Sequence, residues 1–387
     1  MNKKRFKIPA AKVYVPDADI PRILTLYRKI LKNGQLAWGN YNTALEEGFA
    51  RYVGTRYAVT ANSGASALEL ILRARGITGK EVIVPTNTNF ATAAAVVLSG
   101  GKPVFCDCDS YNLSPRPDQI GRCITKKTAG FIIVHIGGII TPDIDAIAKL
   151  CKDKGIFFME DASHAHSSLY DGRKAGRFSE FSAFSMFGSK VITCGEGGII
   201  TTDSKKIRDL CESLRNQGKE GGNNDVHYRM GSTYRVTEFQ AILGIYQLKR
   251  VIEFRKLRER IALFYDRELA GSELIRPFLI PGGVTSSYYK YIAWIDKSVD
   301  REKLKKTLKE KYDIALSAPV YKVPCHLQPV FKGIADPGGN FKEAEYFCDN
   351  HICLPISSAM TRDEAAYVVE SVKKALSRGG NVFKKKA

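Results

Sequence analysis

Short apolar segments that alternate with helical patterns constrain the fold of this 387-residue chain more than any other feature. Strands are indicated near residues 81–84, 103–105, 131–135 and 156–159, and helical patterns such as 143–153 lie between them. This alternation favours a mostly parallel sheet, because parallel strands need crossover connections that place helices on both faces. The predicted fold class is therefore α/β.

The length and one long helical pattern predict two domains. The chain exceeds the size of one typical domain. The segment Thr-Glu-Phe-Gln at 237–240 is a capping-box signature, and an apolar stripe continues from it to about residue 267. We expect a large domain at 1–255, including an N-terminal segment, and a smaller C-terminal α/β domain at 256–387. The stretch at 271–287 is predicted to be loop-like.

The composition, 44% hydrophobic and 26% charged, is ordinary for a globular protein. No apolar run approaches the roughly 18 residues that a membrane helix needs. Nine cysteines without a C-x-x-C pair, and without a signal peptide, predict buried reduced thiols in a cytoplasmic protein. The six histidines show no helical H-x-x-x-H spacing, so we expect no metal site.

The net charge of +19 makes a nucleic-acid partner an alternative to consider. The charge is spread along the chain, and its clearest runs are terminal, at 3–5 and 384–386. No helix-turn-helix or RNA-binding aromatic pattern accompanies them. We therefore expect no nucleic-acid or membrane partner. A positive field would also attract small molecules that carry phosphate groups.

Lys190 is the first candidate functional residue. It follows small residues, precedes a glycine-rich turn at 195–198, and has apolar segments on both sides. A neutral lysine amine condenses with carbonyl compounds, including pyridoxal phosphate. Its pKa in water is near ~10.4, so a reactive lysine needs surroundings that disfavour its charge. A solvated loop lysine is the alternative for this residue taken alone.

Asp161 is the second candidate, because the short buried strand predicted from residue 156 ends in this acid. Ligands of open parallel sheets bind outside the carboxyl ends of the strands. A carboxylate there can pair with the ring nitrogen of pyridoxal phosphate and keep that nitrogen protonated, which makes the ring an electron sink. Capping of the following segment is the alternative role for Asp161.

The third candidate is a turn, Asn-Ser-Gly-Ala-Ser at 62–66, that follows an apolar strand and opens a helical pattern. Free N–H groups at a helix N-terminus bind phosphate, although an ordinary helix cap looks the same in sequence. The chain has neither G-x-x-x-x-G-K-[ST] nor G-x-G-x-x-G after a strand. Phosphate transfer from nucleotides and dinucleotide binding therefore lack their usual signals.

With these three motifs, the sequence resembles the DegT/DnrJ/EryC1/StrS family of sugar aminotransferases, which use pyridoxal phosphate and have the type I fold. The resemblance runs from about residue 20 to about residue 376. The matching motifs lie at 61–65, 82–85, 91–92, 160–166, 185–190, 195–198, 214–218 and 324–329. The family's dehydratases carry histidine where this chain has Lys190, so the resemblance implies an aminotransferase.

The resemblance also implies residue roles. Lys190 would bind the cofactor covalently and move a proton between cofactor and substrate carbon. Asp161 would pair with the pyridine nitrogen, and His164 would contact the phenolic oxygen, where the family often has glutamine. Ser163 would lie beneath the ring. The other implied cofactor-binding residues are Ser63, Gly64, Ala65, Asn89, Phe90, Ser185 and Thr233, and those implied toward the substrate are Glu196 and His326.

The sequence departs from the family pattern at three places. Asn89 stands where the family has an aromatic residue on the cofactor ring, so stacking would fall to Phe90 or the ring would face an amide. Thr233 replaces an asparagine that reaches the phosphate of the neighbouring subunit, and a threonine hydroxyl has a shorter reach. Ala65 replaces a threonine. These changes bear on substrate identity and cofactor affinity.

The implied reaction is amino transfer from an amino acid, with L-glutamate expected, to a keto sugar nucleotide. The segment 192–198 is closest to the variant in members that aminate C4 of a 4-keto-6-deoxyhexose. The resemblance also implies a homodimer with shared active sites, the loop at 221–234 reaching the partner. A keto-inositol substrate, with glutamine as donor, and a non-catalytic regulatory or structural relative are the alternatives.

Overall fold

The computed structural model describes residues 6–220, 223–334, 339–377 and 382–384. The helices are α1 (Ile20–Asn33), α2 (Asn40–Val53), α3 (Gly64–Arg75), α4 (Phe90–Leu98), α5 (Pro117–Cys123), α6 (Ile144–Asp153), α7 (Lys205–Arg215), α8 (Glu238–Lys249), α9 (Val251–Leu269), α10 (Arg301–Tyr312), α11 (Lys342–Asp349) and α12 (Arg362–Leu376). None of these helices is long and apolar enough to cross a membrane.

The strands are β1 (Tyr57–Ala61), β2 (Glu81–Pro85), β3 (Lys102–Cys106), β4 (Thr128–Val134), β5 (Phe157–Asp161), β6 (Leu169–Tyr170), β7 (Arg173–Lys174), β8 (Phe181–Ser185), β9 (Gly198–Thr202), β10 (Lys219–Glu220), β11 (Asn223–His227), β12 (Ile275–Pro277), β13 (Val284–Thr285), β14 (Tyr291–Ile295) and β15 (His351–Leu354). Seven of them form the central sheet in the order β1-β9-β8-β5-β4-β2-β3. Within this sheet, β9 runs in the direction opposite to that of the other six strands. The predicted mostly parallel α/β fold is confirmed.

Both faces of the central sheet are covered, which explains why its strands are rich in apolar residues. Side chains alternate between the faces of a strand. On β4, Phe131 and Ile133 pack into a core with Phe49 of α2, whereas Ile132 between them packs into a second core with Leu70 of α3. The sheet therefore lies between two hydrophobic cores.

A separate core lies in the C-terminal part of the chain. The sheet β12-β14-β15 packs there with the second half of α9 and with α10 and α12. Ile8 belongs to this core as well, and its amide donates a hydrogen bond to the carbonyl of Asp313. In contrast, Phe254 near the start of α9 packs with the large sheet. The domain boundary at 255 stays a prediction.

Two sequence predictions about this region are confirmed only in part. The helical stretch predicted to about residue 267 is present as two helices, α8 and α9, with Arg250 between them. The Arg250 guanidinium pairs with Asp19 at 2.9 and 3.0 Å. The predicted loop at 271–287 contains β12 and β13, which are too short to show a periodic pattern. β12 pairs with β14, and β13 pairs with β6, which lies far away in the sequence.

The N-terminus of α2 depends on a carboxylate from another helix. Glu238 is 1% exposed, and it accepts hydrogen bonds from the backbone N–H groups of Gly39, Tyr41 and Asn42 at 3.0–3.2 Å. These are the groups that a helix N-terminus leaves without a helical partner. The predicted capping box at Thr237 is confirmed, and it orients the turn that carries Glu238.

We expect Glu238→Ala to lower the free energy of unfolding by about 1–3 kcal/mol, because buried N–H groups would lose their acceptor. Urea denaturation followed by circular dichroism measures this change. Glu47→Ala is the control, since Glu47 lies exposed on α2 in an ion pair with Arg51. An exposed pair contributes little. Equal effects of the two variants would contradict the proposed role of Glu238.

Candidate active site

A pocket of about 190 Å³ opens where strands of the central sheet end. Asp161 ends β5, Ser185 ends β8 and Val134 ends β4, and all three line the pocket. The full set of lining residues is Gly64, Ala65, Leu68, Asn89, Ala91, Val134, Asp161, Ser163, His164, Ser185, Phe187, Lys190 and Tyr321. The structure thus brings together eight of the predicted site residues, from four separate segments.

Lys190 reaches the pocket from the turn that follows β8. Its amine lies 4.5 Å from the centre of the Tyr289 ring. Burial lowers the pKa of this amine to about 7; the charge of Asp161 opposes the shift, and that of Lys290 adds to it. A substantial fraction of the amine is therefore neutral near pH 7, the form that reacts with carbonyl groups.

Asp161 is 3% exposed and held by two hydrogen bonds. One carboxylate oxygen accepts from the backbone N–H of Ser163 at 3.1 Å, and the other accepts from the hydroxyl of Thr92 at 2.7 Å. The first bond is of the capping kind considered from sequence, and it coexists with a place in the pocket. The carboxylate can still accept a hydrogen bond from a protonated ring nitrogen.

His164 is a neutral hydrogen-bond donor. The N–H of Gly137 donates to its Nδ1 at 3.3 Å, so Nδ1 carries no hydrogen and Nε2 carries the hydrogen of the neutral ring. The ring stacks on Tyr289 at 4.2 Å, and Nε2 lies 3.4 Å from the Tyr321 hydroxyl. Burial holds the pKa of His164 well below its ordinary value, and the nearby charges of Lys190, Lys290, His166 and His135 act in the same direction.

The turn before α3 has the form of an anion site. The Ser63 hydroxyl caps the helix by accepting from the Ser66 N–H at 3.1 Å. Gly64 and Ala65 follow it and line the pocket beside Ser185. A Cβ on Gly64 would lie 2.7 Å from the Cβ of Ser185, so only glycine permits this approach. The first amides of α3 are available to a phosphate.

Asn89 and Phe90 lie at the N-terminus of α4 in different surroundings. Asn89 lines the pocket, and its side chain caps the helix by accepting from the Ala91 N–H at 2.9 Å. Phe90 is 51% exposed and packs on Phe331, with 5.7 Å between ring centres. The structure therefore places an amide, and not the Phe90 ring, at the pocket wall.

Three further predicted residues lie outside the pocket of their own chain. The Thr233 side chain is exposed and accepts a hydrogen bond from Gln217 at 3.4 Å. Glu196 is also exposed. His326 contacts Thr86 at 2.7 Å through Nδ1 and Glu345 at 3.1 Å through Nε2. The roles of these three residues stay predictions.

Three residues at or beside the pocket were not predicted from the sequence: Tyr289, Tyr321 and Thr92. Tyr289 and Tyr321 belong to the C-terminal part of the chain and reach a site built mainly from residues 64–190. No local pattern indicates such contacts. Thr92 lies in the motif at 91–92, but the motif does not show that its hydroxyl contacts Asp161. Among the described residues, no group of three or more His, Cys, Asp or Glu side chains could hold a metal ion.

Together these residues fit pyridoxal phosphate. The amine of Lys190 suits its carbonyl group, the carboxylate of Asp161 suits its ring nitrogen, and the Nε2–H of His164 suits its phenolic oxygen. The cradle between Gly64 and Ser185 suits its phosphate group. Each match depends on a charge or a donor that the geometry fixes.

We expect the amine of Lys190 in cofactor-free protein to titrate well below an ordinary lysine, with a pKa of about 7. Its labelling by an amine-reactive reagent should rise with pH through that pKa, because only the neutral amine reacts. Peptide mass spectrometry after brief labelling measures this. Lys190→Met identifies the labelled peptide, and a midpoint near that of exposed lysines would contradict the lowered pKa.

We expect His164 to show the neutral Nε2–H form from below to above neutral pH, because the Gly137 N–H blocks its other nitrogen. The long-range ¹H–¹⁵N spectrum of the imidazole rings distinguishes the two neutral forms and the charged ring. The chain has six histidines, and His164→Gln assigns the signal. An Nδ1–H ring, or a charged ring at neutral pH, would refute this assignment.

Comparison with known proteins places these features in a family. A profile of the DegT/DnrJ/EryC1/StrS aminotransferase family matches residues 18–373. GDP-perosamine synthase of Vibrio cholerae is 33% identical over 338 residues, covering 87% of this chain and 90% of that protein. A dTDP-3-amino-3,4,6-trideoxy-alpha-D-glucose transaminase of Streptomyces venezuelae is 31% identical over 347 residues, covering 89% of each chain.

Solved structures agree with these relatives. Streptomyces venezuelae DesV, determined in complex with a ketimine intermediate, superposes with a TM-score of 0.87 and 29% identity, covering 94% of this chain and 96% of that one. The aminotransferase TlmJ of Streptoalloteichus hindustanus gives 0.87 and 26%, covering 95% and 98%. The chain therefore belongs to the DegT/DnrJ/EryC1/StrS family, as the resemblance predicted, and it is a pyridoxal-phosphate-dependent aminotransferase.

Proposed function

We propose that this enzyme transfers the amino group of L-glutamate to the keto group of a nucleotide-linked 4-keto-6-deoxyhexose. The products are an amino sugar nucleotide and 2-oxoglutarate. The relatives named as GDP-perosamine synthase and as a dTDP-amino-sugar transaminase support a sugar nucleotide as substrate. The likeness of the segment 192–198 to that of family members that aminate C4 supports amination at this carbon. The observation that carries the proposal is the buried Lys190 amine in a pocket with the Asp161 carboxylate.

The bound cofactor supplies an electron-withdrawing ring that stabilises negative charge at the substrate carbon. We assign Asp161 to hold the proton on the ring nitrogen, since its carboxylate is fixed by Thr92 and Ser163. We assign His164 to donate its Nε2–H to the phenolic oxygen. The amides of Gly64 and Ala65 and the hydroxyl of Ser185 would bind the phosphate group.

Lys190 is the proposed proton carrier. Its amine would move a proton from the α-carbon of the amino donor to the cofactor in the first half-reaction, and from the cofactor to the sugar carbon in the second. A group that both accepts and gives a proton works best when its pKa lies near the operating pH. The pKa of about 7 for Lys190 meets this requirement.

We propose a homodimer with shared active sites. Large apolar side chains are exposed on the surface of the single chain, among them Trp38, Phe90, Tyr228 and Met230, and Met230 is 87% exposed. Such exposure is typical of surfaces that meet a partner. Tyr228 and Met230 belong to the loop at 221–234, of which residues 221–222 lie outside the described part of the chain. Thr233 would reach the cofactor phosphate of the partner subunit.

The substrate proposal is tested by incubating the enzyme with pyridoxal phosphate, a donor and a panel of keto compounds, followed by mass spectrometry. The panel holds 4-keto-6-deoxyhexoses linked to GDP, dTDP and UDP, together with a keto-inositol. We expect a mass change from keto to amino only with a sugar nucleotide, and faster with glutamate than with glutamine. Lys190→Ala should be inactive, because the proton carrier is lost. Amination of the inositol alone would overturn the proposal.

The shared site is tested by mixing two variants that we expect to be inactive alone, Lys190→Ala and Thr233→Trp. In a mixed dimer one site collects both changes and the other collects neither, because a two-fold interface is reciprocal. Activity should therefore return to one site in each mixed dimer. Light scattering and subunit-exchange controls accompany the assay. A monomer in solution, or no recovery after verified exchange, would contradict the shared site.

A further inference from the structure

Two buried threonine hydroxyls form a chain of hydrogen bonds that ends at the Asp161 carboxylate. The hydroxyl of Thr92 lies 2.7 Å from a carboxylate oxygen of Asp161, and the hydroxyl of Thr88 lies 2.9 Å from that of Thr92. Thr92 and Thr88 are 0% and 2% exposed. The three side chains form a buried row that ends at the pocket.

The direction of this chain follows from chemistry. An ionised carboxylate only accepts hydrogen bonds, so the Thr92 hydroxyl must donate its single hydrogen to Asp161. The oxygen of Thr92 then remains as an acceptor, and the hydrogen between the two threonines comes from Thr88. Successive donors in one direction polarise one another and strengthen the last bond.

The two oxygens of Asp161 are held from different segments. The Ser163 N–H fixes one oxygen from the turn that follows β5, and Thr92 fixes the other from the first turn of α4. Together these donors determine both the plane of the carboxylate and the edge that it presents to the pocket. The Ser163 donor belongs to the backbone, so among these two only Thr92 can be removed by a side-chain substitution.

We propose that Thr92 is a positioning residue for the transamination, acting through Asp161, with Thr88 as its support. The Thr92 hydroxyl stabilises the ionised carboxylate and orients it toward the cofactor ring nitrogen. This inference rests on the proposed role of Asp161. Its alternative is a structural one, in which Asp161 serves only as an acceptor for an otherwise unsatisfied buried hydroxyl.

Substitution at Thr92 separates these two roles. Thr92→Val keeps the shape of the side chain and removes the hydroxyl, whereas Thr92→Ser keeps the hydroxyl. The positioning role predicts that Thr92→Val raises the dissociation constant for pyridoxal phosphate roughly ten- to hundredfold, as expected for loss of a bond to a charged group. Thr92→Ser should remain near the wild type. Thr88→Val should shift the constant in the same direction by less.

Binding is measured by titrating cofactor-free protein with pyridoxal phosphate and following the absorbance of the bound cofactor across pH. Neither the dissociation constant nor the absorbance spectrum requires a sugar substrate, so a wrong substrate proposal would not affect the result. Thermal unfolding of each cofactor-free variant shows whether the fold is intact. If Thr92→Val does not fold, Thr88→Val carries the test, because its hydroxyl is one step farther from the carboxylate.

A double-mutant cycle decides whether Thr92 acts through Asp161. In an Asp161→Asn background, Thr92→Val should cause no further loss of cofactor affinity, because the charged acceptor is already absent. Full additivity of the two changes would overturn the proposal. So would wild-type affinity and spectrum in Thr92→Val, or equal losses in Thr92→Val and Thr92→Ser, since a hydroxyl that positions Asp161 must be rescued by serine.

Discussion

The parallel register of β4, β5 and β8 is the constraint on which the active site depends. Val134 lies beside Asp161, and Asp161 lies beside Ala183, two residues before Ser185. Because the strand ends meet at one edge of the sheet, the Asp161 carboxylate lies close to the cradle between Gly64 and Ser185, although these residues are not adjacent in the sequence. A slip of one residue in β5 would turn Asp161 to the opposite face of the sheet. The buried apolar side chains on both faces of these strands oppose such a slip.

Three effects of unequal size determine the pKa of Lys190 in the pocket. Burial and the positive charge of Lys290 favour the neutral amine, whereas Asp161 favours the charged amine. Burial is the largest of these effects, so the amine and the carboxylate do not form a simple ion pair. The same burial and the same lysines keep His164 neutral, which makes it a donor and not a cation. Burial is thus the largest cause of the lowered pKa of both Lys190 and His164.

The sequence was sufficient for the sheet, the family and the pocket residues that lie in local motifs, because turns after parallel strands carry short patterns. It was insufficient wherever a partner lies far away along the chain. Arg250, which separates α8 from α9, pairs with Asp19, 231 residues distant. Tyr289 and Tyr321 contact His164 across 125 and 157 residues. Phe90 is aromatic and lies next to the right position, but its place at the start of α4 directs it to Phe331.

The contribution of Tyr289 and Tyr321 couples the two halves of the chain. Both residues follow the large sheet in sequence, and Tyr289 contacts Lys190 and His164 at once. Tyr289 packs into a core on one face of the large sheet, and Tyr321 lines the pocket. Ligands that bind only the folded arrangement stabilise it. The bound cofactor should consequently stabilise the packing of Tyr321 and Tyr289 at the pocket, although its proposed ligands lie almost entirely on the large sheet.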